Sequence, residues 1–592
     1  MRGGTKATNE ADAPASFRRS LGIGITGHRP ERLDGSDLPA LEERIGQLLD
    51  RLHQLGANGH AIDMRLVSAL AEGADSMAAD AALARGWTLD VVLPFARDVY
   101  AEDFADGEVR DEHLARLDRA QAVFELEGAR DDEGDGEAYE RAGRIVLAQV
   151  DVLIAIWDGG PVRGRGGAAQ VVAEAVLQGI PVIQIDPTKD GPASLMWKGL
   201  EELDIGQQTL QSVGRHDLVT LGPLLDELLG DPSALARTTG ERQRHWVFPG
   251  LAFPLLLAVM GVRRPRWTDL GFARRDSTAG LTPCTGDRRF SARLTSLLVP
   301  RFVEADTIAS RGASLLRSGY VRNFALSAFA VILSMLGLAL PHGSKAVLLV
   351  LEFVTIATIL IGTRIGTRAD WHGQWLQHRA LTERLRCLAL SAQLGDLDLR
   401  RANATAARWV PLVTNATARS LGLPTVRAGQ RYLSCVRDEL RALVDAQLGY
   451  LSLEGQRMHR LDHRLHTLGT LLFASTAMAC LGMLVLKGLE HMAGASGEGP
   501  AALALGATIA SAVLPAIGAA IYGIRMQGDF AGTAERNLIL CEDLRTMRGV
   551  IDEDALTFDL LSRRVRRTGE LLTGDLDRWL KATVVRRLTL PG

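Results

Sequence analysis

The chain reads as two folds in series: an α/β doubly wound domain first, then an all-α membrane region with four transmembrane helices in two hairpins. Three observations predict this. Apolar runs of strand length alternate with helix-patterned stretches from Leu21 to about Ile185, the pattern of a parallel sheet with helices on both faces. Glycine-rich loops follow several of those runs. Four apolar segments, Phe324–Leu340, Ala346–Thr363, Thr467–Leu486 and Ala501–Ile524, each approach the roughly 20 residues a helix needs to cross hydrocarbon.

Taken in order, residues 1–19 are rich in Gly, Ala, Thr, Asp and Glu with few large apolar groups, and are expected to be a disordered tail. Residues 20–245 form the expected α/β domain. Its strands are Leu21–Thr26, Met64–Leu70, Leu89–Leu93, Val152–Trp157 and Pro181–Ile185, and its helices 37–55, 75–85, 137–149, 168–178 and 217–230. The acidic stretch Glu125–Glu140 interrupts the alternation and reads as a solvated insertion.

Residues 246–320 are expected to link the two folds. Within them Trp246–Val262 is apolar but holds Pro249 and Pro254 and precedes Arg263, Arg264 and Arg266, which suits a buried or interface-lying segment better than a span. The stretch 268–300, rich in Gly, Thr and Arg, reads as linker. Residues 321–550 carry the four spans, with helical extensions at 370–393, 430–464 and 535–547; residues 551–592 form a C-terminal helix and tail.

Arginines set the expected orientation, because Lys and Arg collect on the cytoplasmic side of spans. Arg311, Arg317 and Arg322 precede the first span, Arg364 and Arg368 follow the second, Arg457, Arg460 and Arg464 precede the third, and Arg525 and Arg536 follow the fourth. Only Lys345 and Lys487 lie at the hairpin tips. Both termini are therefore expected inside. The first twenty residues contain no apolar signal core, and the five cysteines are odd in number with no CxxC pair, which suits reduced, intracellular thiols.

Net charge is −3 from 67 basic and 70 acidic residues, so nothing global points to nucleic acid. HExxH, GxSxG and Walker A sequences are absent. His459, His463 and His466 share a helix face, but no carboxylate or cysteine cluster completes a metal site, and none is expected.

In a doubly wound sheet, ligands bind beyond the carboxyl ends of the strands. The loops there are Gly27-His28-Arg29-Pro30, Ala71-Glu72-Gly73-Ala74-Asp75, Pro94-Phe95 and the run from Asp158 to Gly167. Gly22, Gly24 and Gly27 match GxGxxG, yet they sit inside a strand rather than after one, so the match fails its context. The later loop is the better phosphate cradle. Gly159, Gly164, Gly166 and Gly167 let backbone approach a ligand, Arg163 and Arg165 can fork onto oxygens, and the following helix offers free N–H groups. Gly27, His28, Arg29, Glu72, Gly73, Asp75 and Asp158 complete the candidate set. Three choices stay open, the first two being Asp158 as ribose acceptor or turn cap and Asp75 as ligand contact or N-cap. Trp157 is core or a base platform. In the membrane region, Glu352 lies in an otherwise apolar span, where a carboxylate is costly and marks a functional position.

Gly-Ile-Thr-Gly-His-Arg at 24–29, Ala-Glu-Gly-Ala-Asp at 71–75, Val-Leu-Pro-Phe at 92–95 and Ile-Trp-Asp-Gly with Gly-Arg-Gly-Gly across 156–167 together resemble the SLOG nucleotide-sensing superfamily, whose domains are Rossmann-like. The second half resembles SLATT membrane effectors, through Trp371, Trp375 and Glu383-Arg384-Leu385-Arg386 after one hairpin, Gln447 and Tyr450 before the next, and Glu535-Arg536 after the last. The resemblance implies a homo-oligomeric pore in a bacterial inner membrane, switched in anti-phage defence by a nucleotide second messenger or derivative, with no cofactor required. The related LOG hydrolases use a PGGxGTxxE pattern. Here Val171 stands where that glutamate belongs, with Glu174 one turn later, which favours binding over hydrolysis.

Overall fold

The computed structural model of the 592-residue chain describes residues 19–105, 107–131, 134–162, 164–198, 208–230, 250–264, 280–340, 342–397, 399, 407, 409–493 and 498–583. The first half comprises β1 (Arg19–Gly27), α1 (Leu38–Ala57), β2 (Ile62–Ser68), α2 (Ala74–Ala84), β3 (Thr88–Leu93), α3 (Arg97–Tyr100), α4 (Glu108–Arg119), β4 (Ala122–Glu125), α5 (Gly134–Gln149), β5 (Val152–Ile156), α6 (Ala168–Leu177), β6 (Val182–Ile185), β7 (Ser194–Met196), β8 (Arg215–Asp217) and α7 (Leu221–Leu229). The second comprises α8 (Ala252–Val259), α9 (Arg288–Arg293), α10 (Val299–Ala339), α11 (His342–Arg368), α12 (Trp371–Ser391), α13 (Trp409–Leu421), β9 (Val426–Arg427), α14 (Gln430–Ala493), α15 (Glu498–Gly528), α16 (Phe530–Glu553) and α17 (Phe558–Thr583).

Among the described residues nine strands make one sheet in the order β8-β7-β6-β5-β1-β2-β3-β4-β9. Strands β1 to β6 and β9 run parallel, while β7 and β8 turn back antiparallel. Every residue of β5 is buried, so its sequence VLIAI is continuous rather than alternating, as a strand covered on both faces requires. Helix α1 begins where the Asp37 carboxylate accepts the Ala40 N–H at 3.2 Å and ends at Asn58 in the left-handed region. Between those caps Leu41, Ile45, Leu48, Leu49 and Leu52 form the stripe it buries.

One face of the sheet, including Ile23, Leu66, Val91 and Ile154, packs under α1, α2 and α7. On the other, α6 covers Leu153, Ala155 and Val182. The remainder of that face, Val67, Val92 and Phe124, lies under α5 together with Leu433, Leu440, Leu544 and Leu561 from α14, α16 and α17. The helices of the second half thus complete the core of the first. Buried charge joins them as well: Arg419 on α13 holds Asp151, just before β5, through two N–H donors at 2.8 and 3.0 Å, both side chains being 2% exposed.

Among the described residues four helices are long and apolar enough to cross a membrane. In α10 and α14 the apolar segment is one end of a longer helix whose other end is charged and packed. α10 lies against α11, α14 against α15, and α10 against α15.

The five expected strands and the helices at 37–55, 75–85, 137–149 and 168–178 lie within a few residues of β1, β2, β3, β5 and β6 and of α1, α2, α5 and α6; the run 217–230 splits into β8's end, a 3₁₀ turn and α7. Three expectations change. The acidic stretch Glu125–Glu140 is no insertion: Glu125 ends β4, and the stretch from Gly134 belongs to α5, whose Ala138 and Ala142 are buried. The supposed linker 268–300 contains α9 and a π turn over Leu294–Leu298, with Phe290, Leu294 and Leu298 fully buried. The N-terminal tail stops short of Arg19, which opens β1 and pairs with Asp226 at 3.1 Å; residues 1–18 lie outside the described residues. Trp246 to Pro249 and Arg266 also lie outside them, while α8 buries Phe253 and Leu257 against α10 and leaves Leu255 and Val259 exposed.

Candidate ligand-binding site

The parallel strands progress from β1 outward through β2, β3 and β4 on one side and through β5 and β6 on the other, so strand order reverses between β1 and β5. Loops leaving those two strands diverge to opposite faces, and the gap between them is where an open α/β sheet holds ligand. Gly27 at the end of β1 is level with Ile156 at the end of β5. The next residues are His28 and Arg29 on one side and Trp157 and Asp158 on the other.

His28 is 4% exposed. Its backbone N–H donates to the Ile156 carbonyl at 3.1 Å, and its Nε2 accepts the Asp158 backbone N–H at 3.2 Å while lying 3.1 Å from the Asp158 Oδ1. Burial and the Arg32 charge lower the imidazole pKa, outweighing the pull of Asp158, so the ring is neutral near pH 7. Asp158 accepts the Gly160 N–H at 2.9 Å and an Arg32 N–H at 2.9 Å. Burial opposes its ionisation, yet Gly160, His28 and Arg32 prevail and hold its carboxyl below the usual range. It is thus a turn cap with side-chain surface left over, since the side chain stays 28% exposed.

Glycine is required where β1 meets α2. A Cβ on Gly27 would lie 2.4 Å from that of Ala74, and Gly73, at φ +98°, would press a Cβ to 2.7 Å from the His28 carbonyl. That carbonyl accepts the Ala74 N–H at 3.1 Å, which locks the β1 and β2 loops together. Asp75 points inward. Its carboxylate accepts the Ser68 hydroxyl at 2.8 Å and takes backbone N–H groups of Ala71 and Ala69, so it braces the loop from within and is not the N-cap, a place Gly73 holds. Burial nonetheless raises its pKa to about 7. Glu72 is half-buried on the same loop.

The loop from Asp158 to Gly167 arrives at α6, whose N-terminus at Gly167 has no side-chain cap, leaving first-turn amides available to an anion. Gly159 and Gly166 both have positive φ, and a Cβ on Gly166 would stand 2.5 Å from that of Tyr139. Arg165 turns away to α5, bonded to Glu137 and Glu140 at 3.0 Å each. Arg163 lies outside the described residues. Gly164 is exposed with open space around it. Trp157 is buried beneath α6, its indole donating to the Gly160 carbonyl at 3.1 Å, so it is core and not a platform. Glu174 is bonded to Arg144 on α5 at 3.2 Å.

The structure therefore gathers Gly27, His28, Arg29, Gly73, Asp158, Gly159 and Gly166 around the β1/β5 gap, and takes Asp75 into the interior. Sequence reasoning missed two members. Arg32 lies four residues after His28, at the end of a 3₁₀ turn over Pro30–Arg32, and was legible in the same Gly-His-Arg-Pro-Glu-Arg run. Tyr139, with Arg29 5.4 Å from its ring centroid and its hydroxyl bonded to Asp103, hid in the acidic stretch. Arg130 extends this wall, 2.6 Å from Asp103 and 3.7 Å over the Phe95 ring. Among the described residues no group of three His, Cys, Asp or Glu could hold a metal ion. Comparisons of the chain with protein-family models, with curated proteins and with solved structures gave no match.

Proposed function

We propose that the protein is a nucleotide-responsive membrane effector. In this reading the first half is a Rossmann-like sensor of the SLOG type that binds a nucleotide or nucleotide derivative in the β1/β5 gap. The second half is a SLATT-like region whose two hairpins cross a bacterial inner membrane with both termini inside, and assembles as a homo-oligomeric pore. The observation that carries it is the coincidence of the strand-order reversal with a neutral His28, an ionised Asp158, exposed Arg29 and the uncapped α6 terminus. A phosphate would sit on the α6 amides and a ribose hydroxyl on Asp158, while Arg29 and Arg32 offset negative charge.

Mechanical continuity supports the second half of the reading. Strand β9 pairs with β4 at the sheet edge, and two residues later α14 begins and runs unbroken through Ala493. Arg427 on β9 bonds Glu127 at 3.0 Å in the loop after β4, the loop that also carries Arg130. A change of shape at the gap thus has a short path, through Tyr139 and Arg130, to the foot of a helix about 96 Å long at 1.5 Å per residue.

Thermal shift of the full chain in detergent against a library of nucleotides tests the sensor. Stabilisation by at least one phosphorylated compound is expected, lost with Asp158→Ala; indifference to all of them refutes it. Hydrolysis is the competing reading, with Glu72, half-buried on the loop after β2, as its candidate acid. Release of free base that Glu72→Gln abolishes would establish it.

A further inference from the structure

Two of the five cysteines meet where the approach to the first long helix crosses the foot of the third. Cys284 lies four residues before α9, on the segment that leads through α9 into α10, and Cys435 stands on the second turn of α14. The Cys284 thiol is within hydrogen-bonding reach of the Cys435 sulfur. Cys284 is half-buried and Cys435 exposed.

The surrounding bonds hold both sides of this contact. Gln393, fully buried in the turn after α12, accepts the Cys284 N–H through its side-chain oxygen at 2.6 Å and donates its amide to the Thr282 carbonyl at 3.1 Å. Its backbone carbonyl accepts the hydroxyl of Tyr432, three residues before Cys435, at 2.6 Å. Just ahead of β9, the Thr425 N–H donates to the Asp287 carboxylate at 3.0 Å and the Thr425 carbonyl accepts the Thr285 hydroxyl at 3.3 Å. The loop 282–287 is thereby fixed against the start of α14, and the two sulfurs with it.

The two thiols differ in reactivity. Burial, the neighbouring thiol and the Glu439 and Asp438 carboxylates push the Cys284 pKa well above the usual thiol range, so Cys284 keeps its proton. Cys435 faces solvent and meets a small oxidant first. In a reducing compartment, a disulfide formed by such a pair is transient and responds to redox state.

We propose that Cys284 and Cys435 are a peroxide-sensitive pair whose reversible disulfide clamps the lead into α10 to the foot of α14. The Cys435 sulfur attacks one oxygen of hydrogen peroxide; an S–O bond forms, the O–O bond breaks, and the departing hydroxide takes the Cys435 proton and leaves as water. The product is a sulfenic acid. The Cys284 sulfur then attacks the Cys435 sulfur; the S–S bond forms, the S–O bond breaks, and the Cys284 proton leaves with hydroxide as a second water. Two thiols lose two electrons, and one peroxide is reduced to two waters. A dithiol reductant returns the electrons and reopens the pair. The clamp is independent of which ligand the sheet holds.

The test treats the full chain in detergent with one equivalent of hydrogen peroxide, denatures it, and labels free thiols with a maleimide–polyethylene glycol. Labels should fall from five to three in a chain that stays monomeric, dithiothreitol should restore all five, and peptide mapping should place the bond between Cys284 and Cys435. Cys284→Ser should instead leave Cys435 as a sulfenic acid that dimedone traps. A bond between any other two cysteines, a link between copies, or no loss of label would overturn the pairing. Chains unfolded in urea before peroxide is added should lose the preference for this pair; an equal yield there would mean that the fold does not bring the sulfurs together. Amide exchange over residues 282–289 should slow about tenfold when the native chain is oxidised, an arm that needs no variant. Exchange unchanged by the bond would overturn the clamp.

Discussion

Asp75 shows what the sheet's carboxyl edge demands of single residues. Burial raises its pKa from 3.8 to about 7, although Ser68 and two loop amides favour the charged form. Because the folded value lies above the unfolded one, the contribution to stability is complete below pH 3.8 and is lost as pH rises through about 7, a swing of at most about 4 kcal/mol. Asp75→Asn should therefore flatten the stability profile between pH 4 and 7, read by urea unfolding at several pH values; an unchanged profile would show that another group titrates. Gly73 is the steric counterpart. At φ +98° and 2.7 Å from the His28 carbonyl, Gly73→Ala should cost about 2–4 kcal/mol or prevent folding, whereas Gly164→Ala, with open space around it, should cost under about 1 kcal/mol. Gly27, His28, Arg29 and Asp158 were legible in sequence because polar clusters after apolar runs mark the ligand edge of such a sheet. The inward turn of Asp75 and the capture of Arg165 by α5 were not, since both depend on neighbours far away in the chain.

At the scale of elements, the joint between halves is a buried ion pair and a two-residue strand. Breaking the Asp151–Arg419 pair by Asp151→Ala strands a guanidinium in the interior and should cost about 3–5 kcal/mol, with the Asp151→Ala/Arg419→Met double variant recovering much of it. Denaturation midpoints of the two variants decide; equal loss in both would mean the pair adds little beyond packing. β9 is more specific in effect. Val426→Pro falls within β9, where it pairs with Phe124 of β4; the substitution should leave ligand affinity within about threefold while uncoupling it from membrane leakage. The long helices were readable from their apolar segments and arginine borders. β9 was invisible, being two residues in a polar connection, and α9 was lost because a Gly, Thr and Arg background masked the period of Phe290, Leu294 and Leu298.

At the scale of the whole molecule, the sheet's second face is finished by α5, α14, α16 and α17, and the other end of α14 is apolar and long enough to cross a bilayer. The sheet and the first turns of α14 therefore share one core; under the proposed function, a ligand that favours one arrangement of the β1/β5 gap favours one arrangement of α14. Moving such an equilibrium from 1:99 to 99:1 takes about 5.5 kcal/mol of differential binding. The division into two folds was legible because hydropathy changes sharply along the chain; their interlocking was not, because contacts such as Leu433 and Leu561 with the sheet face join residues hundreds of positions apart. Dye release from liposomes holding the full chain, recorded while nucleotides are added to the sensor side, tests the central claim most directly. The account predicts leakage that rises with at least one nucleotide and disappears with Asp158→Ala; leakage unaffected by every nucleotide and by that substitution would contradict it.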